Sequence, residues 1–164
     1  MTRMKLHKIT PNLWFDSQAE EAANFYTSIF HDSKIGRIAR YGPESRGVEG
    51  TVMTVEFQLE GQSFVALNGG PHFKFNEAIS FIVHCDDQAE LDYYWDKLSE
   101  GGDEKAQVCG WLKDPFGVSW QIIPSHLTEM ICDPDPARAG RVMQAILQTK
   151  KKIDIKALHQ AYDN

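Results

Sequence analysis

The feature that most restricts the possible folds of this chain is a short sequence repeat. The segment D-S-Q-A-E at residues 16–20 returns as D-D-Q-A-E at residues 86–90, an offset of 70 residues. An apolar run precedes each copy, over residues 9–15 and 79–85, and apolar residues at helical spacing follow each copy. A matched strand, helix start and helix at both places indicate an internal duplication.

Both predicted helices begin with a capping-box pattern. Ser17 stands three residues before Glu20, and Asp87 stands three residues before Glu90. In such a box the two side chains can satisfy backbone N–H groups at the helix start reciprocally. We therefore expect a side-chain cap at the first turn of each helix.

The stretches that follow the two helices are typical of strands. The predicted strands cover residues 33–41, 51–59 and 63–68 in the first half, and 107–113 and 118–124 in the second. The last two flank Asp114-Pro115-Phe116-Gly117, which has the residue preferences of a type I turn and predicts a hairpin. Each half is thus interpreted as β-α-β-β-β, although the first strand after the second helix is weakly marked.

The C-terminal segment follows a different pattern from the two halves. Asp135 is a predicted helix cap before Pro136, and a last helix is predicted over residues 155–162 after Asp154. The sequence therefore predicts an α+β fold in which tandem β-α-β-β-β modules are followed by a helical C-terminal extension. The predicted domain covers residues 1–126, with modules at about 8–69 and 78–124, and the extension covers 127–164. We expect the extension to pack on the core or on a partner subunit.

Composition excludes several classes of protein. Three cysteines without C-x-x-C spacing argue against a disulfide scaffold or a cysteine-based zinc site, and they fit a cytoplasmic location. No apolar run approaches the roughly 20 residues of a membrane span, so no membrane partner is expected. A formal net charge of −6 disfavours nucleic-acid binding, and the single basic run at residues 150–152 is typical of a solvated face.

Three stretches carry a resemblance to a known family. They are I-T-P-N-L-W-F-D at residues 9–16, I-S-F-I-V-H-C-D-D at 79–87 and W-L-K-D-P-F-G at 111–117. With the tandem modules, they resemble the vicinal oxygen chelate (glyoxalase/bleomycin resistance/dihydroxybiphenyl dioxygenase) superfamily. More narrowly they resemble its PhnB-like branch, often labelled 3-demethylubiquinone-9 3-methyltransferase. The resemblance implies a curved sheet in each module, two sheets that enclose a cleft, and a homodimer.

The resemblance also implies a divalent metal held by His and Glu side chains on the first and last strand of each module. The positions in this chain that match those ligands are Thr10 or Asn12, Asn68, Ala78 or Ser80, and Gln121. Gln121 stands four residues after the glycine of D-P-x-G, where the family has a Glu. Neutral amide and hydroxyl oxygens are weaker ligands than carboxylate or imidazole. We therefore expect no metal and no cofactor.

The same positions predict a binding site for an unidentified small organic molecule. Strand alternation places polar groups on faces that would look into the cleft. The predicted ligand-binding residues are the neutral groups Asn12, Asn68, Ser80 and Gln121, with Trp14 and Trp111 as apolar walls. A small-molecule-binding protein with the metal site lost is the first hypothesis. These groups can equally be satisfied strand residues or remnants of an ancestral metal site.

An enzyme of the same superfamily with an unidentified substrate is the alternative hypothesis. No catalytic residue is assigned by the sequence. His84 and His72 are the candidates, because imidazole changes charge near neutral pH. The methyltransferase label has no support in the residues, because Gly69-Gly70 is followed by Pro71 rather than by a glycine-rich strand-to-helix turn.

Overall fold

The computed structural model describes residues 4–5 and 7–164. The chain divides into two units, Met1–Phe75 and Asn76–Asn164. The helical tail belongs to the second unit. The start of the domain predicted over residues 1–126 lies in part outside the described residues.

The first unit has the predicted β-α-β-β-β order. Its elements are β1 (Asn12–Phe15), α1 (Ala19–Ile29), β2 (Lys34–Arg40), β3 (Val52–Leu59) and β4 (Gln62–Asn68). The sheet order is β1-β4-β3-β2, with β1 parallel to β4 and the other pairs antiparallel. The fold class predicted from the sequence, α+β with this module, is confirmed.

One face of this sheet packs against α1 and forms the core of the unit. Leu13 and Phe15 of β1 are buried, and so is Ala66 of β4. Tyr26 of α1 stacks on Phe57 of β3 with ring centroids 6.1 Å apart. Because successive strand residues point to opposite faces, the other face carries the polar and half-exposed residues of the same strands.

The start of α1 differs from the predicted capping box. The residue before the helix is Gln18, and it makes no side-chain capping hydrogen bond. The backbone N–H of Ala19 instead donates to Oδ1 of Asn68 at 2.8 Å. The prediction that Ser17 caps this helix is therefore wrong, because the end of β4 supplies an acceptor that is distant in sequence.

The second unit has a smaller sheet and more helix. Its elements are β5 (Ser80–Cys85), α2 (Gln88–Ser99), β6 (Trp111–Lys113), β7 (Ser119–Pro124), α3 (Leu127–Ile131), α4 (Pro136–Gln148) and α5 (Ile155–Asp163). The sheet order is β5-β7-β6, with β5 parallel and β6 antiparallel to β7. Asp87 caps α2 by accepting from the Glu90 N–H, as predicted, and the Glu90 carboxylate accepts from the Asp86 N–H.

The strand predicted directly after α2 does not form, and the next one is shorter than predicted. A 3₁₀ turn (Glu104–Ala106) takes the place of the first. In the second, Cys109 and Gly110 have φ values of +53° and +83°, which interrupt the extended chain. Val108 and Trp111 exchange backbone hydrogen bonds of 2.8 and 3.1 Å across this turn. Only residues 111–113 of the predicted 107–113 are therefore strand.

The predicted turn between β6 and β7 is confirmed. The Gly117 N–H donates to the carbonyl of Asp114 at 3.0 Å, and Gly117 has a φ of +89° that favours glycine. The Asp114 side chain is buried, and it accepts from the N–H groups of Phe116 and Val118 and from the Trp120 indole.

The helical tail is attached to the loop before β6 and to α2. The N–H groups of Cys109 and Gly110 donate to the carbonyls of Thr149 and Lys151, each at 2.9 Å. Gln88 of α2 donates to the carbonyl of Ile153 and accepts from the N–H of Ile155. Both predicted tail helices form, with the caps Asp135 and Asp154, whereas α3 was not predicted.

Helix length also bears on membrane insertion. A transmembrane helix needs about 20 apolar residues. Within the part of the chain that the structure describes, the longest helix is α4 with 13 residues, and none is long and apolar enough to cross a bilayer.

We predict that the end of α5 is held in a pH-dependent way. The Tyr162 hydroxyl donates to Asp133 at 2.5 Å, which lowers the pKa of Asp133 and raises the pKa of Tyr162. The lowered pKa of Asp133 gives a stabilisation that is fully present above the ordinary carboxyl pKa and is lost as pH falls through the pKa of the folded state. The raised pKa of Tyr162 gives a stabilisation that is fully present below the ordinary tyrosine pKa and is lost as pH rises through the pKa of the folded state. Alkaline absorbance titration, with Tyr162→Phe subtracted, should show Tyr162 ionising above the ordinary range.

Asp133→Asn is the control for this titration, because it should bring the Tyr162 pKa back toward the ordinary value. A wild-type Tyr162 that ionises in the ordinary range of tyrosine would contradict the hydrogen bond.

Candidate functional site

The second unit contains a cavity beside β6. Its volume is about 480 Å³, within the range of roughly 300–1,000 Å³ that small-molecule sites occupy. The side chains that matter for its chemistry are Glu77, Lys105, Val108, Trp111, Lys113 and Ser119. Trp111 was predicted as an apolar wall from the sequence, and it lines this cavity.

Ser119 is the most unusual residue of the cavity. It is 1% exposed, and its hydroxyl has no hydrogen-bond partner among the described residues. An unpaired buried hydroxyl costs about 1–3 kcal/mol, so native proteins rarely keep one without a partner such as water or a ligand. The hydroxyl is therefore the group of this cavity that most needs a partner.

An ion pair forms part of the cavity wall. Lys113 Nζ lies 2.5 Å from Glu77 Oε1, and the hydrogen bond from Lys113 is the main reason why the pKa of Glu77 is lowered. Lys113 is directly opposite Ser119 in the β6–β7 register. Opposite residues of an antiparallel pair have their side chains on one face, so Lys113 and Ser119 line the cavity from adjacent positions of the sheet.

Three of the predicted ligand-binding residues share that sheet face. Gln121 is opposite Trp111, and Ser80 is opposite Ser119. The Gln121 amide Nε2 donates to Ser80 Oγ at 2.9 Å. Ser80, Trp111 and Gln121 thus come together in the second unit, although the Ser80 and Gln121 side chains are already hydrogen-bonded to each other.

Two further predicted residues share a face of the first unit. Asn12 is exposed, and Trp14 is half-buried on the same side of β1. The Trp14 indole N–H donates to the Gly70 carbonyl at 2.9 Å, and Phe73 packs edge-on against the indole at 4.9 Å. A Cβ at Gly69 would overlap the indole, so this glycine allows the close approach.

Asn68 does not share a face with Asn12 and Trp14. It is opposite Phe15 in the β1–β4 register, and that face packs on α1. Its Oδ1 accepts from Ala19, and its Nδ2 donates to the Val52 carbonyl at 3.1 Å. Asn68 shares its face of β4 with the buried Ala66, so the structure places it on the core face and not on the face of Asn12.

The two histidine candidates differ in position. His84 is exposed on β5, two residues along from Ile82 and on the same face as Ser80. His72 is exposed in the segment after β4. The Cys85 thiol is buried, and burial raises its pKa to about 12, so it is protonated and unreactive near neutral pH.

The residues at the expected metal positions do not fit a divalent ion. Both side-chain groups of Asn68 are engaged by backbone atoms, and Gln121 is hydrogen-bonded to Ser80. Nowhere in residues 4–5 and 7–164 do three His, Cys, Asp or Glu side chains come together in a way that could hold a metal.

Sequence reasoning missed Ser119, Lys113 and Glu77. Strand alternation puts Ser119 on the same face as Gln121, but nothing in the sequence marks its hydroxyl as unpaired. Glu77 lies in the segment just before β5, 36 positions from Lys113, and only the fold brings their charges together.

Comparison with known proteins gives the family. The model of the 3-demethylubiquinone-9 3-methyltransferase family matches residues 7–123. The PhnB protein from Bacillus cereus is 39% identical, with 72% of this chain and 98% of that chain covered and a TM-score of 0.63. A protein from Pseudomonas aeruginosa is 19% identical, with 73% and 98% covered and a TM-score of 0.59, which supports the fold alone. No curated protein matches.

The match over residues 7–123 includes β1, both repeat segments and the turn between β6 and β7, the same stretches that carry the resemblance in the sequence. The chain belongs to the 3-demethylubiquinone-9 3-methyltransferase (PhnB-like) family.

Proposed function

We propose that this chain is a small-molecule-binding protein and that its ligand occupies the cavity beside β6. The observation that carries the proposal is the Ser119 hydroxyl, which is buried beside a cavity of about 480 Å³ without a hydrogen-bond partner in the described part of the chain. The Trp111 indole supplies an apolar wall, and a few polar groups beside such a wall are typical of ligand pockets.

The proposal includes the loss of the metal site that is usual in the superfamily. Its support is the chemistry of the donors, because Asn, Ser and Gln stand where His and Glu would be expected. The engagement of Asn68 by α1 and β3 is further support, because the two hydrogen bonds hold its amide against the Ala19 N–H and the Val52 carbonyl.

The first test is a thermal-shift screen of small organic compounds. A compound that binds only the folded state raises the melting temperature by an amount set by its concentration over its Kd. We expect hits on the wild type whose affinity falls about tenfold or more in Trp111→Ala, because the indole wall is removed. Leu147→Ala, which changes an exposed apolar side chain on α4, should leave the affinity unchanged.

Ser119→Ala separates binding from folding. Without ligand, this change should leave stability equal or slightly higher, since it removes an unpaired buried hydroxyl. With a hit compound, it should weaken binding. A loss of stability above about 1 kcal/mol without ligand would mean that the hydroxyl serves the fold, and the carrying observation would be lost.

Elemental analysis of protein purified without chelators tests the metal part. We expect no stoichiometric Zn, Ni, Mn or Fe and no thermal shift on adding these ions. One tightly held ion per chain would overturn the loss of the metal site, and His84 and His72 would be the first ligands to replace.

Catalysis is the second candidate function, and the position of His84 favours it. This imidazole is exposed on the sheet face that carries Ser80. If a screened compound is turned over, a rate profile with a pKa near neutrality that disappears in His84→Ala would assign proton transfer to this residue. Turnover that is unaltered in His84→Ala would remove His84 from the mechanism.

A further inference from the structure

The charges around the cavity are unequal. Two ammonium groups, Lys105 and Lys113, line it together with one carboxylate, Glu77. Lys113 is paired with that carboxylate at 2.5 Å. The cavity therefore has a net positive charge of one, in a chain whose overall charge is −6.

The Glu77 side chain is more exposed and less constrained than the Lys113 side chain with which it pairs. Its side chain is 63% exposed, whereas that of Lys113 is 25% exposed. Glu77 precedes β5 in a turn closed by the Asn76 side chain, and Lys113 is fixed in β6. Since an exposed ion pair contributes little to stability, another carboxylate can replace Glu77 at the Lys113 ammonium at small cost.

The neighbours of Lys113 match the other parts of such a ligand. Ser119 lies opposite Lys113 and has a hydroxyl without a partner, so one carboxylate can meet the ammonium with one oxygen and the hydroxyl with the other. Trp111 is two residues before Lys113 in the same strand and on the same face, where its indole can cover a planar apolar group.

We propose, building on the function proposed above, that the cavity takes a small organic carboxylate with a planar apolar body. The ligand carboxylate replaces that of Glu77 at the Lys113 ammonium and accepts a hydrogen bond from the Ser119 hydroxyl. Glu77 thus occupies the anion position when no ligand is bound and competes with the ligand for it.

Calorimetric titration with benzoate and benzamide tests this, because the two probes share a ring and differ in charge. For the wild type we expect benzoate to bind about tenfold more tightly than benzamide, which corresponds to about 1.4 kcal/mol. Glu77→Gln should strengthen benzoate binding about three- to tenfold, since a charged competitor is removed, and should leave benzamide unchanged. Added salt should weaken benzoate more than benzamide.

Lys113→Met should weaken benzoate about tenfold or more, whereas Lys156→Met, an exposed lysine of α5, should change it less than about twofold. If Lys113→Met does not fold, Glu77→Gln still tests the proposal, because this variant is expected to bind benzoate more tightly than the wild type. Equal binding of the two probes, no gain in Glu77→Gln, or no benzoate binding up to about 10 mM would each overturn the ligand class.

These failures are distinguishable from failure of the proposed function. A neutral compound from the screen whose binding is lost in Trp111→Ala would keep the binding function and reject the carboxylate. No compound of any class binding at the cavity would reject both.

Discussion

Asp114→Ala should lower the free energy of unfolding by about 3–5 kcal/mol, a loss large enough to unfold many domains of this size. The Asp114 carboxylate is 2% exposed and accepts three hydrogen bonds, from two backbone N–H groups and the Trp120 indole, at 2.9–3.0 Å. Alanine would leave all three donors without this acceptor inside the protein, and each unsatisfied buried donor costs about 1–3 kcal/mol. Urea unfolding measured by circular dichroism is the assay.

Two variants control this prediction. Asp114→Asn keeps one oxygen for the backbone donors but turns an amide N–H₂ toward the indole N–H, so its loss should be about half as large. Asp103→Ala removes an exposed carboxylate that makes one bond, to the N–H of Lys105, and should cost about 1 kcal/mol or less. If Asp114→Ala were as stable as Asp103→Ala, the buried network would not stabilise the turn.

Asn68→Ala should destabilise the protein by about 2–3 kcal/mol, whether or not a ligand is present. Its Oδ1 accepts from the first N–H of α1 and its Nδ2 donates to the carbonyl of Val52, so one side chain joins β4 to α1 and β3. Loss of the amide leaves both backbone groups without that partner. The same urea unfolding assay measures the effect.

Asn12→Ala is the matched control, because Asn12 is the same residue type on the exposed face of β1. Its stability should change by less than about 0.5 kcal/mol. Asn68→Asp should be intermediate, because a carboxylate still caps the helix but no longer donates to the Val52 carbonyl. An Asn68→Ala protein with unchanged stability but weaker ligand binding would return Asn68 to the predicted binding site.

Local patterns were sufficient for most of the secondary structure. Apolar spacing and helix-start residues predicted α1, α2, α4 and α5, because these signals act within a few residues of the chain. The turn at Asp114 was equally local, since proline and glycine there match the backbone angles of a type I turn.

Other features depend on contacts between distant segments. The cap of α1 comes from Asn68, 49 positions away, and overrides the local signal of Ser17. Residues 107–110 were predicted as strand but are not, and the N–H groups of Cys109 and Gly110 bond to the tail instead. Tertiary partners of this kind leave no periodic mark in the sequence.

The candidate site was likewise predictable where strand alternation was sufficient and unpredictable where distant segments meet. Alternation predicted that Ser80 of β5 and Gln121 of β7 lie on the same face of the sheet. The hydrogen bond between their side chains shows that they do. Alternation alone does not tell which face is covered by a helix, so it could not show that Asn68 lies on the face that packs on α1. Ligand binding by any of these residues stays a prediction that the titrations test.

The attachment of the tail has a consequence for the evolution of recognition. The loop at Cys109, which borders the cavity, is anchored by the carbonyls of Thr149 and Lys151, and both lie beyond the family match at residues 7–123. Two homologues identical over that match but with a tail of different length or path around 149–151 would therefore present different cavity walls. Ligand preference can then diverge through exchange of a terminal segment, while selection keeps the residues that build the two sheets.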